Sequence, residues 1–257
     1  MAALDCVDFT YQVDGLTVEG YYLKPKNAEP ESLPVVIYNR GGNAGFGYVV
    51  FGAKMQTISE LAEAGYLVIG SQYRGSSRWI DNNGQDEFGG GDVNDVLALR
   101  ELLTEIPEAD PSRLAMVGWS RGGMQTFLAS RQMPELKTIV SIAGVSDLRN
   151  QLKQRPEMEN VYKARIPDYT NQKAEALSRR SAIDWADELP DVPVLLVHGT
   201  ADKRVDAEQS RSLAAELERI SHPSKLEIYE GDNHGLVRNR ENLRNELIDW
   251  LNTHMSH

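Results

Sequence analysis

The chain has little of what several classes of protein require. Its 257 residues include one cysteine, Cys6, which rules out an internal disulfide and favours a reducing, cytoplasmic location. No apolar run approaches the ~18 residues of a membrane-spanning helix, and no charged start followed by an apolar stretch marks a secretory signal. The sequence therefore predicts neither a membrane span nor a membrane partner.

Basic residues and metal-ligand patterns are also scarce. Lys and Arg number 27 against 38 Asp and Glu, a net charge of −11, whereas phosphate binding requires clustered positive charge. No cluster of His, Cys and carboxylates has metal-ligand spacing, and one cysteine cannot build a zinc or iron–sulfur site. We therefore predict no nucleic-acid partner, no metal and no cofactor.

The most informative feature present is at residues 114–123, where an apolar strand runs into a Gly-x-Ser-x-Gly turn and then a helix. This pattern is typical of a nucleophile elbow, a sharp corner in which Gly118 and Gly122 lack the side chains that would collide as strand and helix cross. Ser120 is the candidate nucleophile, and an ordinary serine in a glycine turn is the alternative. Apolar residues recur at helical spacing after the turn, at Met124, Phe127 and Leu128.

Two later segments supply the partners that such a serine needs. Residues 192–202 form an apolar strand pattern that ends in a loop with Asp202, and residues 226–235 contain a strand, a polar turn and His234. Ser, then Asp, then His, each just beyond a strand, is the chain order of the α/β-hydrolases. The order predicts that fold, with a mostly parallel central sheet and helices on both faces.

The chemistry of acyl transfer requires these three residue types. A serine hydroxyl is a poor nucleophile at neutral pH, so an imidazole must take its proton and later deliver it to the leaving group. We assign that role to His234. A carboxylate must hold the imidazole in the correct tautomer and stabilise the imidazolium, which is the role assigned to Asp202.

Other acids and histidines are alternatives for these roles. Asp147 also follows an apolar strand, Asp206 is placed to cap the next helix, and Asp232 lies in the polar turn before the candidate base. We favour Asp202, because the loop after the seventh strand is the usual source of the acid. His198 ends an apolar strand and is interpreted as a hydrogen-bonded structural residue. The remaining histidines lie in a turn and in the tail: His222, His254 and His257.

An acyl-transfer serine also needs donors for the developing oxyanion. One is the backbone N–H of Arg121, the residue after the candidate nucleophile. A second source is the loop after the strand pattern at 34–38, where the pair Gly41 and Gly42 would allow backbone amides to approach a carbonyl closely. A plain turn is the alternative for this loop.

Taken together, these segments resemble the catalytic domain of the prolyl oligopeptidase family of serine peptidases, over nearly the whole chain. By resemblance, Ser120, Asp202 and His234 match the catalytic triad, and the amides of Arg121 and Gly42 match the oxyanion donors. The matching runs are Asp-Gly-Leu-Thr-Val-Glu-Gly at 14–20, Gln-Tyr-Arg-Gly-Ser at 72–76, Gly-Gly-Gly-Asp-Val-Asn-Asp at 89–95, Gly-Trp-Ser-Arg-Gly-Gly at 118–123, His-Gly-Thr-Ala-Asp at 198–202 and His-Gly at 234–235.

The chain departs from the family pattern in two places. Relatives often carry Tyr-Gly-Gly or His-Gly-Gly where this chain has Arg40 followed by two glycines, which leaves open whether Tyr38 or Arg40 assists the oxyanion hole. Relatives with well-defined peptidase roles commonly have a β-propeller before the catalytic domain. Here the hydrolase pattern begins within the first ~35 residues, so we expect one α/β-hydrolase domain over 1–257 with no propeller.

Two further segments complete the predicted organisation. Residues 9–23 read as a hairpin around Asp14 and Gly15, and residues 92–105 as a helix. Residues 148–190 show no strand pattern and predict either a small helical cap over the candidate nucleophile or surface helices on the sheet edge. Aromatic residues in helices are more often core than pocket lining, which is the interpretation chosen for Tyr162, Ile166, Tyr169 and Trp185.

The sequence therefore predicts a serine hydrolase that cleaves peptide or ester bonds through an acyl-enzyme. Its partner is a small ester or a short peptide, and a homo-oligomer is compatible with the sequence. A carboxylesterase with little peptidase activity is the alternative within the enzyme class. A non-catalytic binding protein on a hydrolase scaffold is disfavoured, because the candidate triad and the glycine loop are intact.

Overall fold

The computed structural model describes residues 3–50 and 55–256, in which eight strands form one sheet. The strands are β1 (Leu4–Val13), β2 (Leu16–Pro25), β3 (Leu33–Asn39), β4 (Leu67–Ser71), β5 (Ala109–Trp119), β6 (Thr138–Ile142), β7 (Val194–Gly199) and β8 (Ser224–Tyr229). The helices are α1 (Gln56–Glu63), α2 (Asp92–Leu97), α3 (Leu99–Leu102), α4 (Arg121–Ser130), α5 (Leu148–Gln154), α6 (Met158–Arg165), α7 (Lys173–Ser178), α8 (Glu208–Arg219) and α9 (Arg240–Met255). Within the described ranges, no helix has both the length and the apolar character needed to cross a bilayer.

The strand order across the sheet is β1-β2-β4-β3-β5-β6-β7-β8. The hairpin of β1 and β2 joins β4 antiparallel, and the strands from β4 through β3 to β8 are parallel to one another. Because parallel strands end at the same edge, the loops after β3, β5, β7 and β8 meet there. Every candidate catalytic residue predicted from the sequence lies in a loop at that edge.

The central strands are buried on both faces. Val35 and Ile37 of β3 belong to a core cluster with α2, α3 and α8, whereas Val36 and Tyr38 belong to a second cluster with α1 and α9. The alternation follows from the two-residue period of a strand, and a sheet buried on both faces is what a parallel arrangement requires. The predicted α/β architecture with helices on both faces is confirmed.

The N-terminal hairpin is longer than the predicted 9–23. Its turn lies where expected, since Asp14 and Gly15 both have positive φ, 52° and 75°, as a two-residue hairpin turn requires. The strands, however, pair from Leu4 with Pro25 through to the turn. The first residues were missed because the outer face of this edge strand is exposed, and polar residues such as Asp5 and Asp8 interrupt the apolar pattern.

Two other elements differ from their predicted bounds. The predicted helix at 92–105 divides into α2, α3 and a final 3-10 turn at Leu103–Glu105. Ala98 between the two helices keeps right-handed helical dihedrals, so the division is a local change of hydrogen bonding, and the tightened last turn is common at helix ends. The strand before the elbow is also longer than its apolar segment 114–117, because it begins at Ala109.

The segment at 148–190 is helical, with α5, α6 and α7 followed by short 3-10 turns at Ala182–Asp184 and Ala186–Glu188. Tyr162, Ile166 and Tyr169 are buried in a cluster that also contains Met124 of the elbow helix and Val205 of the loop after β7. Trp185 is buried in the main core. These residues are therefore core, as the sequence interpretation favoured, and a cap over the candidate nucleophile stays a prediction.

Candidate active site

Ser120 occupies the corner between β5 and α4 with φ 60° and ψ −123°. A positive φ is uncommon for a residue with a side chain, and such backbone strain is concentrated at functional sites. The corner is fixed by its neighbours. The amide of Ser120 donates to the Ile142 carbonyl at 2.9 Å, and the Ser120 carbonyl accepts from the amides of Gly123 at 2.9 Å and Val145 at 3.2 Å.

The glycines of the elbow are required by close backbone approaches. A Cβ on Gly118 would lie 2.1 Å from the Gly122 carbonyl oxygen, and a Cβ on Gly122 would lie 1.9 Å from the Asn39 carbonyl oxygen. Both distances are far below van der Waals contact. The helix α4 can therefore cross β5 and the end of β3 only because these two side chains are missing.

Asp202 and His234 come together from the loops after β7 and β8. His234 Nδ1 donates to Asp202 Oδ2 at 2.6 Å, and the Asp202 carboxylate is buried. Its other oxygen, Oδ1, accepts from the amides of Arg204 at 2.8 Å and Val205 at 3.1 Å. Because an ionised carboxylate only accepts, the proton of the neutral imidazole is on Nδ1 and the lone pair is on Nε2. His234 is therefore held in the tautomer that a general base needs.

The loop that carries His234 is anchored beside the elbow. Trp119, the residue before Ser120, donates from its indole Nε1 to the His234 carbonyl at 3.1 Å. The His234 side chain is 17% exposed, so a substrate can reach its ring although the Asp202 side chain beneath it is 0% exposed.

The electrostatics favour an ionised acid at this position. Burial alone would raise the pKa of Asp202, but the hydrogen bonds from His198 and His234 outweigh it and hold that pKa well below its ordinary range. The carboxylate thus remains charged at neutral pH, as the stabilisation of an imidazolium requires.

The three alternative acids are engaged elsewhere. Asp147 caps α5 by accepting from the amides of Arg149 at 2.8 Å and Asn150 at 3.3 Å. Asp206 accepts from the amide of Glu208 at 2.8 Å, at the start of α8. Asp232 accepts from the Asn239 side chain at 3.0 Å and from three backbone amides of its own loop, between β8 and α9. Between residues 3–50 and 55–256, no hydrogen bond joins any of these acids to the His234 ring.

The other histidines take structural positions. His198 is buried, with Nδ1 2.7 Å from Ser210 Oγ and Nε2 3.0 Å from the Val205 carbonyl. His222 donates from Nε2 to the Val192 carbonyl at 3.0 Å. The ring of His254 packs on Trp250, and His257 lies outside the described residues.

The glycine loop after β3 passes directly beside Ser120. A Cβ on Gly41 would lie 3.1 Å from Ser120 Cβ and 3.6 Å from its Oγ. Gly42 has φ +81°, and a Cβ there would lie 2.0 Å from the Phe46 carbonyl oxygen. Only glycine fits that conformation. The candidate donor loop and the first residue of α4, Arg121, thus both lie next to the serine.

Arg40 and Tyr38 are each committed to other contacts. The Arg40 guanidinium is 2% exposed and donates to the carbonyls of Gly41, Ala44, Phe46 and Gln72, so it shapes the backbone of the loop. Tyr38 is buried in the core beneath α1. Burial raises its pKa to about 12, although the charge of Arg240 and a hydrogen bond to Thr57 lower it. Backbone amides are therefore the better candidates for oxyanion donors.

A buried ion network beneath the site was not predicted from the sequence. The side chain of Arg121 pairs with Asp86 at 2.6 Å and with Asp92 at 2.6 Å, and it donates to the Gly42 carbonyl at 3.0 Å. Asp86 in turn accepts from the Ala44 amide of the glycine loop and from the Phe88 amide. One guanidinium therefore links the helix that begins at the elbow to the loop that carries Gly42.

The network remains charged despite its burial. Burial alone would lower the pKa of Arg121, but the charges of Asp86 and Asp92 raise it above its usual value. Burial alone would raise the pKa of Asp86, but the charge and hydrogen bonds of Arg121 lower it. The sequence signals were the arginine after Ser120 and two acidic residues, Asp86 before α2 and Asp92 at its start. Their pairing depends on contacts between residues far apart in the chain, which one sequence does not give.

We expect Asp86→Asn to lower kcat by about 10- to 100-fold with little change in KM. The substitution removes one of the two negative charges that pair with Arg121 and weakens the hydrogen bond from the Ala44 amide. The glycine loop is then held less firmly in its position beside Ser120. Steady-state kinetics with an activated ester measure the effect. Asp14→Asn is the control, because Asp14 is 44% exposed and pairs with Arg74 away from the loop. Equal kcat in parent and Asp86→Asn would contradict this role.

Comparison with known proteins identifies the family of the chain. The sequence model of the prolyl oligopeptidase family matches residues 52–257. The chain belongs to the prolyl oligopeptidase family. A relative, the uncharacterized peptidase YtmA of Bacillus subtilis, is 29% identical over 244 residues, which cover 94% of this chain and 91% of YtmA. As a member of this family, the chain is an enzyme of the serine hydrolase class.

Solved structures confirm the fold. The acylaminoacyl peptidase of Pyrococcus horikoshii superposes with a TM-score of 0.84 at 22% identity, over 98% of this chain and 42% of that chain. The acetyl xylan esterase of Paenibacillus sp. R4 superposes with a TM-score of 0.74 at 17% identity, over 96% of this chain and 84% of the esterase. This chain therefore has the α/β-hydrolase fold, and it spans less than half the length of the Pyrococcus peptidase.

Proposed function

We propose that this prolyl oligopeptidase family member cleaves short peptide, aminoacyl or ester bonds through Ser120, His234 and Asp202, with an acyl-enzyme intermediate. The observation that carries the proposal is the 2.6 Å hydrogen bond between His234 Nδ1 and Asp202 Oδ2, in a loop that Trp119 anchors beside the strained elbow by donating to the His234 carbonyl at 3.1 Å. Family membership supports the reaction class.

In the first half of the proposed reaction, Ser120 Oγ attacks the carbonyl carbon of the substrate. His234 Nε2 takes the hydroxyl proton, and Asp202 stabilises the imidazolium that forms. The carbonyl oxygen becomes an oxyanion, which the amides of Arg121 and Gly42 stabilise by donating hydrogen bonds. The N terminus of α4 adds its partial positive charge on the same side.

In the second half, the tetrahedral intermediate collapses and the bond to the leaving group breaks. His234 delivers its proton to the leaving oxygen or nitrogen, and the acyl group remains on Ser120. Water then enters, gives a proton to His234 and attacks the acyl carbon. Collapse of the second intermediate releases the acid and returns the proton to Ser120.

A carboxylesterase with little peptidase activity is the second candidate. It is supported by the superposition on the Paenibacillus esterase, a chain of similar extent. A panel of p-nitrophenyl esters and of aminoacyl and prolyl p-nitroanilides separates the two. Turnover of esters alone would favour the esterase, and turnover of both would favour the peptidase.

We expect clear activity on small activated esters, weaker activity on short peptides or aminoacyl anilides, and poor activity on folded proteins. An amide has the more stable ground state and its leaving nitrogen must be protonated, so cleavage requires binding energy from neighbouring subsites. The peptide bonds of a folded protein are held in its own structure, so few of them can extend across the half-buried Ser120. Rapid cleavage of a folded protein with negligible ester turnover would contradict this expectation.

A further inference from the structure

Two histidines contact the same oxygen of Asp202. His234 Nδ1 lies 2.6 Å from Oδ2, and His198 Nε2 of β7 lies 3.3 Å from the same atom. The other oxygen, Oδ1, is occupied by the amides of Arg204 and Val205. The carboxylate thus has four contacts, of which the reaction described above uses only the one with His234, and the ring of His198 is the one other side chain among them.

The hydrogen-bond partners of His198 fix which nitrogen carries its proton. Nε2 faces the Val205 carbonyl at 3.0 Å and Asp202 Oδ2 at 3.3 Å, and both oxygens can only accept. Nε2 must therefore carry hydrogen, and its one N–H is shared between the Val205 carbonyl, which is the nearer acceptor, and the Asp202 carboxylate. Nδ1 lies 2.7 Å from the hydroxyl of Ser210 on α8, which donates to it in the neutral ring. Both side chains are buried, so the orientation is maintained by packing as well.

We propose that His198 is a positioning residue for the catalytic pair, which holds Asp202 Oδ2 with its Nε2–H and shares the negative charge that faces His234. The inference rests on the proposed function. His198 and His234 compete for the same oxygen of Asp202. Because His198 also donates to Oδ2, that oxygen stabilises the imidazolium of His234 less. The geometry also restricts rotation of the carboxylate, because His198 comes from the strand and the amides come from the loop.

Loss of the Nε2–H donor has a consequence with a definite sign. Without it, more negative charge remains on Oδ2, the imidazolium of His234 is stabilised, and its proton is retained to higher pH. The acidic limb of kcat/KM, which requires the neutral imidazole, then moves to higher pH. This direction agrees with the depressed pKa of Asp202. Burial raises that pKa, and the hydrogen bonds from His198 and His234 lower it.

Other charged groups near the pair are held by separate contacts that a change at position 198 leaves in place. Asp232 accepts from Asn239 and from backbone amides. Arg240 lies over the ring of Trp119 at 5.7 Å and pairs with Glu60 at 2.8 Å. A shift of the acidic limb in a His198 variant therefore reports on the contact with Asp202.

The test uses two substitutions of matched size. Glutamine places an amide N–H close to the position of Nε2, whereas methionine has a similar length and no donor. Glutamine can still accept from Ser210 through its amide oxygen, whereas methionine accepts only weakly, so S210A is measured beside them to give the effect of losing that contact alone. The part of the difference between H198M and H198Q that S210A does not reproduce is assigned to the hydrogen bond to Asp202. We expect H198M to move the acidic limb of kcat/KM by about half a pH unit to higher pH and to lower kcat about 10- to 100-fold with KM within about twofold. H198Q should restore the limb to within about 0.2 units of the parent.

Two results would overturn the proposal: a limb that stays in place in H198M, or an equal shift in H198M and H198Q. A purely structural role lowers kcat at every pH and leaves the limb where it is. If H198M does not fold, nitrogen-15-labelled histidine in the parent decides instead, with His198 assigned by the signal missing in H198Q. An Nε2–H signal that moves when Asp202→Asn removes the carboxylate charge supports the proposal. An Nε2–H signal that Asp202→Asn leaves unchanged, or a ring with hydrogen on Nδ1 alone, overturns it.

These outcomes are distinct from failure of the proposed function. If the parent hydrolysed none of the substrates, or if Ser120→Ala kept full activity, the proposed function would be wrong while the nitrogen-15 spectrum would still report the His198 tautomer. If the parent is active and the two His198 variants behave alike, the positioning role alone fails.

Discussion

Replacing Ser120 with alanine is expected to lower turnover of an activated ester by about four to six orders of magnitude, because a catalytic triad acts as a unit. The fold should persist. Alanine accepts the φ of 60° at the same cost as serine, and the backbone hydrogen bonds of the corner do not involve the hydroxyl. Turnover is measured with p-nitrophenyl esters, and the nucleophile is measured by covalent labelling with a fluorophosphonate.

Ser112→Ala serves as the control for this experiment. Ser112 is an exposed serine on β5, the strand that ends at the elbow, and its hydroxyl donates to Asp110 at 2.6 Å. The fluorophosphonate should label the control as it labels the parent, and both should hydrolyse p-nitrophenyl esters at the same rate. Labelling that survives in Ser120→Ala would assign the nucleophile to another residue.

Replacing Asp202 with asparagine is expected to cost about 10⁴ in kcat. The amide group of asparagine can donate to His234 Nδ1, which then accepts and leaves the ring proton on Nε2. A ring in that tautomer cannot take the proton of Ser120. The expected result is a large loss of kcat with the fold intact, measured by steady-state kinetics together with thermal unfolding.

Asp147→Asn is the matched control, because Asp147 is the strongest alternative acid. Asparagine is also a good helix cap, so the cap of α5 is largely retained and kcat should change little. If the larger loss came from Asp147→Asn, the acid would have to be assigned to the loop after β6.

Much of the fold could be predicted because the central strands carry an unambiguous signal. Residues such as Val194 to Val197 are continuously apolar, since both faces of a parallel strand are buried, and each run ends in a glycine or a polar loop. The edge hairpin was predicted to be shorter than it is. The segment after Gly91 was predicted as one helix, whereas the structure has two short helices and a 3-10 turn there. At an edge strand one face is exposed, and the division at Ala98 depends on local hydrogen bonding that apolar periodicity does not report.

The candidate site was likewise predicted in part from the sequence. The position of Ser120 follows from local requirements, because the glycines on either side are forced by contacts within the strand, the turn and the helix. The pairing of Asp202 with His234 follows from the rule that parallel strands end at one edge. The contact of Asp86 with Arg121 and that of His198 with Asp202 could not be predicted. Each depends on which buried groups meet across the interior, and a single sequence does not fix such contacts.

The proposed catalytic residues lie at one edge of the sheet but come from distant parts of the chain. Their assembly therefore sets the stage of folding at which activity can arise. The proposed machinery extends from Gly42 to His234 in the chain, and β8 at the far end of the sheet order carries the loop with the base. The proposed reaction thus requires the complete sheet, because a fragment that ends before β8 lacks the proposed base, His234. In refolding, recovered turnover should follow the slow closure of contacts between distant residues, so that enzyme activity reports on global folding more strictly than helix content does.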